Sequence, residues 1–139
     1  MIRTLLTDLE EILLTIKDIN KVSHGRAESL QQETEFVAVY IQPQADVFEP
    51  HHIGKADIAS YNNDIFVSLV VNIDTDGDDL YWVDIRKKII NTILEDSPIW
   101  KTVFNRDIVS VTHDDYDNYP KRSLEIMFKF SIRDTTVCT

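Results

Sequence analysis

At 139 residues with a formal net charge of −10, the chain has the length of one domain, 1–139, and the wrong sign of charge for a general affinity for phosphate backbones. Its 14 basic residues are scattered, and the densest groups, Arg86-Lys87-Lys88 and Lys121-Arg122, are too small for a nucleic-acid footprint. Three glycines, no two closer than 23 positions, exclude the dinucleotide fingerprint, the P-loop and the nucleophile elbow, and the single Cys138 excludes an internal disulfide or a cysteine-built zinc site.

Ile2, Leu5, Leu6, Leu9, Ile12, Leu13, Ile16 and Ile19 recur at three- and four-residue spacings, which predicts an amphipathic helix reaching about Asn20. Asp8, Glu10 and Glu11 interrupt this stretch, and the longest unbroken apolar run is the six residues Phe36–Ile41. Neither a signal peptide nor a membrane span is therefore expected. Lys21–Gly25 reads as a short extended piece turned by Gly25. Glu35–Gln42 is β-branched and aromatic on both faces, the pattern of a central strand, and Pro43 is expected to stop it. Pro50, His51, His52 and Gly54 break any pattern from Pro43 to about Ala59, so a long loop carrying Val47, Phe48 and Ile53 is predicted there.

Asp64–Ile73 alternates as a long strand, with Ile65, Val67, Leu69, Val71 and Ile73 on one face and Phe66, Ser68, Val70 and Asn72 on the other. Asp74–Asp79 leads into a second helix ending before Pro98, with Asp76 or Asp78 expected as its cap. Its apolar arc is wider than a surface helix needs and encloses Arg86, which should reach a carboxylate or a subunit boundary. Asp107–His113 and Arg122–Arg133 read as two further strands joined by an acidic connection. This order predicts an α+β fold: two helices on one face of a mostly antiparallel sheet of four to five strands.

Two acidic groups invite metal chemistry. Asn72, Asp74, Asp76 and Gly77 match the first half of a calcium loop, but its twelfth position is Val83 and its first lies in a strand, which favours a helix cap. His113, Asp114, Asp115 and Asp117 offer oxygen and nitrogen donors of the kind two-metal nucleases use. No Glu-x-Lys accompanies them, so a solvated acidic hairpin is the plainer reading. His51 and His52 are adjacent and diverge in extended chain. No motif with a catalytic mechanism emerges, so no enzyme, cofactor or metal is expected.

Taken in order, these pieces resemble the tail terminator (tail completion) proteins of long-tailed bacteriophages over nearly the whole chain. The resemblance rests on the N-terminal helix, Glu35-Phe-Val-Ala-Val-Tyr-Ile, the long segment before Ile65-Phe-Val-Ser-Leu-Val-Val-Asn-Ile, and the acidic turn into Leu80–Leu94. Asp107-Ile-Val-Ser-Val-Thr and Leu124-Glu-Ile-Met-Phe-Lys-Phe-Ser-Ile complete it. It implies a virion protein, assembled in the host cytoplasm, that closes as a hexameric ring on the tail tube, halts tube growth and presents a surface to a head or neck connector. DNA then passes through without specific binding. Other neck or tube rings of the same assemblies, and a metal-dependent nucleic-acid enzyme, are the competing readings.

The residues themselves agree with a self-associating protein. Apolar surface on Phe66, Val70, the second helix and the Val47–Ile53 segment needs a partner to cover it. In a closed ring each copy offers two different patches. Val47, Phe48 and Ile53, with Arg86 and Lys87 (or the Lys87-Lys88 pair), are therefore the expected contacts to a neighbour or the tube. Asp114, Asp115 and Asp117 are expected at an acidic rim or lumen, where Arg86 or the lysines of an adjacent copy would meet them.

Overall fold

Two long strands with alternating apolar cores pair over their full length. They are β3 (Ile58–Asp74) and β5 (Lys121–Val137), antiparallel from Ile58 opposite Val137 to Asp74 opposite Lys121. They form the middle of a five-stranded sheet in a computed structural model that describes residues 2–53, 58–113 and 120–137. β2 (Ala38–Ile53) flanks β3 and β4 (Val103–His113) flanks β5, both antiparallel, while β1 (Lys21–His24) runs parallel to the start of β2. The spatial order is β1-β2-β3-β5-β4. With α1 (Ile2–Leu14) and α2 (Tyr81–Leu94) packed on it, the architecture is the expected α+β.

Ile65, Val67, Leu69, Val71 and Ile73 of β3 and Leu124, Ile126, Phe128, Phe130 and Ile132 of β5 are all buried on the helix side. Leu5, Leu9, Ile12 and Leu13 of α1 and Ile85, Ile89 and Ile93 of α2 close over them. The opposite face carries half-buried Phe66 and Val70 and several polar pairs matched across the β3–β5 ladder. Ser131 Oγ donates to Asp64 (2.6 Å), Ser68 Oγ to Glu125 (2.9 Å) and Ser123 Oγ to Asn72 (3.1 Å).

Several boundaries differ from expectation. α1 ends at Leu14, not near Asn20. Tighter turns carry the chain onward, with Thr15 N donating to Ile12 O, Ile16 N to Leu13 O and Ile19 N to Ile16 O. Ile16 and Ile19 remain in the core, so the apolar spacing persists after the helix stops. Gly25 follows β1 with φ +109°, the turn conformation expected of it. β2 begins at Ala38 and passes through Pro43. The predicted Pro43–Ala59 loop is therefore mostly the outer half of β2 and the start of β3, with bulges between Pro43 and Ala45 and between Pro50 and His52. Both prolines are tolerated because they lie beside bulges on the half of β2 that β1 does not cover. β4 and β5 also extend past their predicted ends, to Val103 and Val137.

No aspartate side chain caps α2. Leu80 occupies the cap position, and Asp78 Oδ1 instead accepts from Leu80 N (3.0 Å) while Asp74 Oδ1 accepts from Asp76 N (3.0 Å). These are Asx turns before the helix, with Gly77 at φ +85° between them. The far end of α2 is held by β4. Arg106 Nε donates to Ile93 O (2.9 Å) and Nη2 reaches Glu95 O (3.2 Å) and Asp96 Oδ1 (3.1 Å), a cation on the terminal carbonyls.

One carboxylate is buried on the outer face. Glu33, 4% exposed, accepts from the Tyr40 hydroxyl (2.6 Å) and from Asn72 Nδ2 (3.2 Å), and Lys21 Nζ stands 3.5 Å away. Burial alone would push this carboxyl up, but the hydrogen bonds from Tyr40 and Asn72 and the Lys21 ammonium outweigh it, holding the pKa below its ordinary 4.5. The network pins the segment before β2 to the sheet, and its stabilisation is present above pH 4.5 and lost as the pH falls through the depressed folded value. Glu33→Gln should therefore flatten the acid limb of stability against pH, measured by urea unfolding. Tyr40→Phe should cost about 1–3 kcal/mol near neutrality, the cost of a buried acceptor losing its donor.

Candidate self-association surface

Apolar side chains that the core does not absorb concentrate along the two flanks of the sheet. On β4, Phe104 is 55%, Val109 49% and Ile108 39% exposed. On the outer half of β2, Phe48 is 54% and Val47 46% exposed. Among the described residues both strands have an unpaired side. β4 is the last strand of the sheet, and β1 covers only Ala38–Ile41 of β2. Exposed, apolar, unpaired strand edges are templates for another chain. Leu14 and Leu94, exposed at the C-terminal ends of the two helices, add to the uncovered apolar surface.

The structure separates the residues that the sequence grouped together. Val47 and Phe48 lie exposed on a strand, and Ile53 ends that strand. Lys87 is exposed on α2. Lys88 pairs with Asp18 of its own chain (2.9 Å), which lowers the Asp18 pKa and raises that of the lysine, so it is not held for a neighbour. Arg86 is half-buried with its guanidinium 5.5 Å from the centre of the Trp82 ring, and among the described residues it forms no ion pair. Within the described residues it is an aromatic face that lies against this guanidinium. Asp114, Asp115 and Asp117 lie outside the described residues. Phe66 and Val70 are half-buried rather than fully exposed.

Trp82 gathers more than Arg86. The Arg122 guanidinium is 4.6 Å from the same ring, and His113 meets it edge-on at 4.9 Å. Burial, and then the charges of Arg122 and Arg86, hold the His113 pKa below its ordinary 6.5. His113 also borders an open cleft of about 250 Å³ lined by Val70, Thr112, Ser123, Leu124 and Glu125. Glu125 in this cleft accepts from Ser68 Oγ (2.9 Å) and stands opposite Thr112 across the β4–β5 ladder.

The first half-match to a calcium loop dissolves in three dimensions. Asn72 is buried in β3 with its amide donating to Glu28 O (3.1 Å) and Glu33. Among the described residues no three His, Cys, Asp or Glu side chains converge as metal ligands would. Sequence reasoning missed Phe104, Ile108 and Val109, because alternation on a strand does not reveal that the strand is an edge.

The titration of His113 tests the Trp82 cluster. Its imidazole should titrate below 6.5 by NMR, moving up in Arg122→Gln and by less in Arg86→Gln, and a midpoint insensitive to both would contradict the packing described. Since the folded pKa is lowered, the contribution to stability falls as the pH drops below 6.5 towards the folded value. Comparison with protein-family models finds no matching family, and a search of curated proteins finds no significant match.

Proposed function

We propose that this chain is a ring-forming structural protein of the bacteriophage tail-terminator kind, a collar that caps a tail tube, stops its growth and offers a surface to a head or neck connector. The observation that carries the reading is the pair of uncovered apolar flanks, Val47 and Phe48 on one side of the sheet and Phe104, Ile108 and Val109 on the other. Two different patches on opposite flanks make a heterologous contact, which closes into a ring when the rotation between copies allows it. The resemblance of the chain's layout to that family supports six copies.

The mechanism is non-covalent. One annular face matches the end of the tube, and the other differs enough that no further tube subunit adds, so growth ends by shape and chemistry rather than by a reaction. A net charge of −10 suits a bore that must release DNA, because carboxylates do not gather polyphosphate by counterion release. Tail tube protein, the connector and other copies of the chain are the partners of this reading, in the virion.

Light scattering and negative-stain electron microscopy of the purified chain test it. The expected outcome is discrete rings, with a mass that is a small multiple of 16.1 kDa. Long tubes would identify a tube subunit instead, and a monomer that stays a monomer with tube protein present would overturn the reading.

A further inference from the structure

Resting on the ring reading, we infer that the contact between copies is a continuous β-sheet: β4 of one copy pairs antiparallel with the outer half of β2 of the next. Length, polarity and chemistry each point to this occupant. Of β2's 16 residues the first four face β1, leaving the twelve residues Gln42–Ile53 with no strand on that side among the described residues. β4 has 11 residues and, among the described residues, one side with no strand beside it. Three successive antiparallel pairings separate β2 from β4, so the two run in opposite directions. A neighbour's β4 laid beside β2 therefore forms an antiparallel ladder without turning the sheet over.

β1 dictates the register. Within one copy, Val103 stands across the sheet from Phe48, through Ile132 and Asn63, and His113 from Val39, through Leu124 and Val71. In the slot above β1 the neighbour's strand spans Gln42–Ile53 instead, so each copy is displaced by about four residues, roughly 13 Å at ~3.3 Å per residue. Such a stagger is what a sheet needs to tilt its strands and close on itself. It brings Val109 of one copy close to Val47 of the next, pairing the exposed apolar groups of the two edges. Pro43 and Pro50, without N–H donors, bound the ladder to Gln44–Glu49 at its centre and oppose slippage. A two-fold pairing of β4 with β4 would leave Val47 and Phe48 uncovered.

Cross-linking decides between these arrangements. In a Cys138→Ser background, chains carrying Val47→Cys and chains carrying Val109→Cys are co-expressed and treated with a short bis-maleimide. Covalent pairs should form in the mixture and not with either variant alone. Efficient pairing of Val109→Cys with itself would overturn the proposal in favour of the two-fold contact. Val109→Lys and Val47→Lys, both at exposed positions and checked for fold by circular dichroism, should each release protomers from the ring. If wild-type rings form but the mixture does not cross-link and both lysine variants keep the ring mass, the sheet contact is wrong while the ring reading stands. If the wild-type chain remains a monomer at every concentration and with tube protein, both fall.

Discussion

The β3–β5 ladder is the constraint on which the rest of the molecule depends. Because the two strands pair over all their described length, every residue on one is committed to a face by its partner on the other. The helix side of the ladder becomes a continuous apolar floor from Ile65 to Ile73 and from Leu124 to Ile132. The far side becomes a row of polar pairs, Ser131 with Asp64, Ser68 with Glu125 and Ser123 with Asn72. A slip of one residue would put the phenylalanines in water and the serines and acids against α1 and α2. The ladder thus sets where the helices dock and which face of the sheet carries the polar pairs.

The flanks of this sheet are less settled than its middle. β1 is short and parallel, covering a quarter of β2, and β4 presents a long edge with apolar groups still in solvent. Isolated domains usually protect such edges with charge, brevity or cover. Here Pro43 and Pro50, the bulges in β2 and β4, and the exposed charges of Asp46 and Asp107 interrupt the two edges. That pattern limits where another strand can add without preventing it, as expected if the edges are meant for copies in one register.

Charge has a different role from the apolar edges. Particular ionic groups tie segments down: Glu33 holds the approach to β2, and Arg106 of β4 holds the end of α2. Arg106 also stands 5.3 Å from the Trp100 ring, which itself packs on Phe130. The edge strand is therefore anchored to the core at the point where its outward side is free. Around Trp82, two guanidiniums share one ring beside a histidine whose pKa is lowered first by burial and then by their charges, a cluster the chain assembles from α2, β4 and β5.

Residue spacing by itself determined the order of the two helices and the four long strands, the buried faces of β3 and β5 and the α+β class, since periods of two and near four report directly which side of an element meets the core. It also marked Gly25 as a turn. Only the tertiary structure decided that Pro43 lies within a strand, because a proline is harmless on an uncovered side and disruptive on a paired one, and the sequence does not say which neighbour a strand acquires. The same holds for the candidate surface. Val47 and Phe48 stood out in the sequence as apolar groups without a pattern, whereas Phe104, Ile108 and Val109 looked like ordinary strand residues. Their exposure follows from β4 being last in the sheet, a property of long-range pairing order that no local window contains.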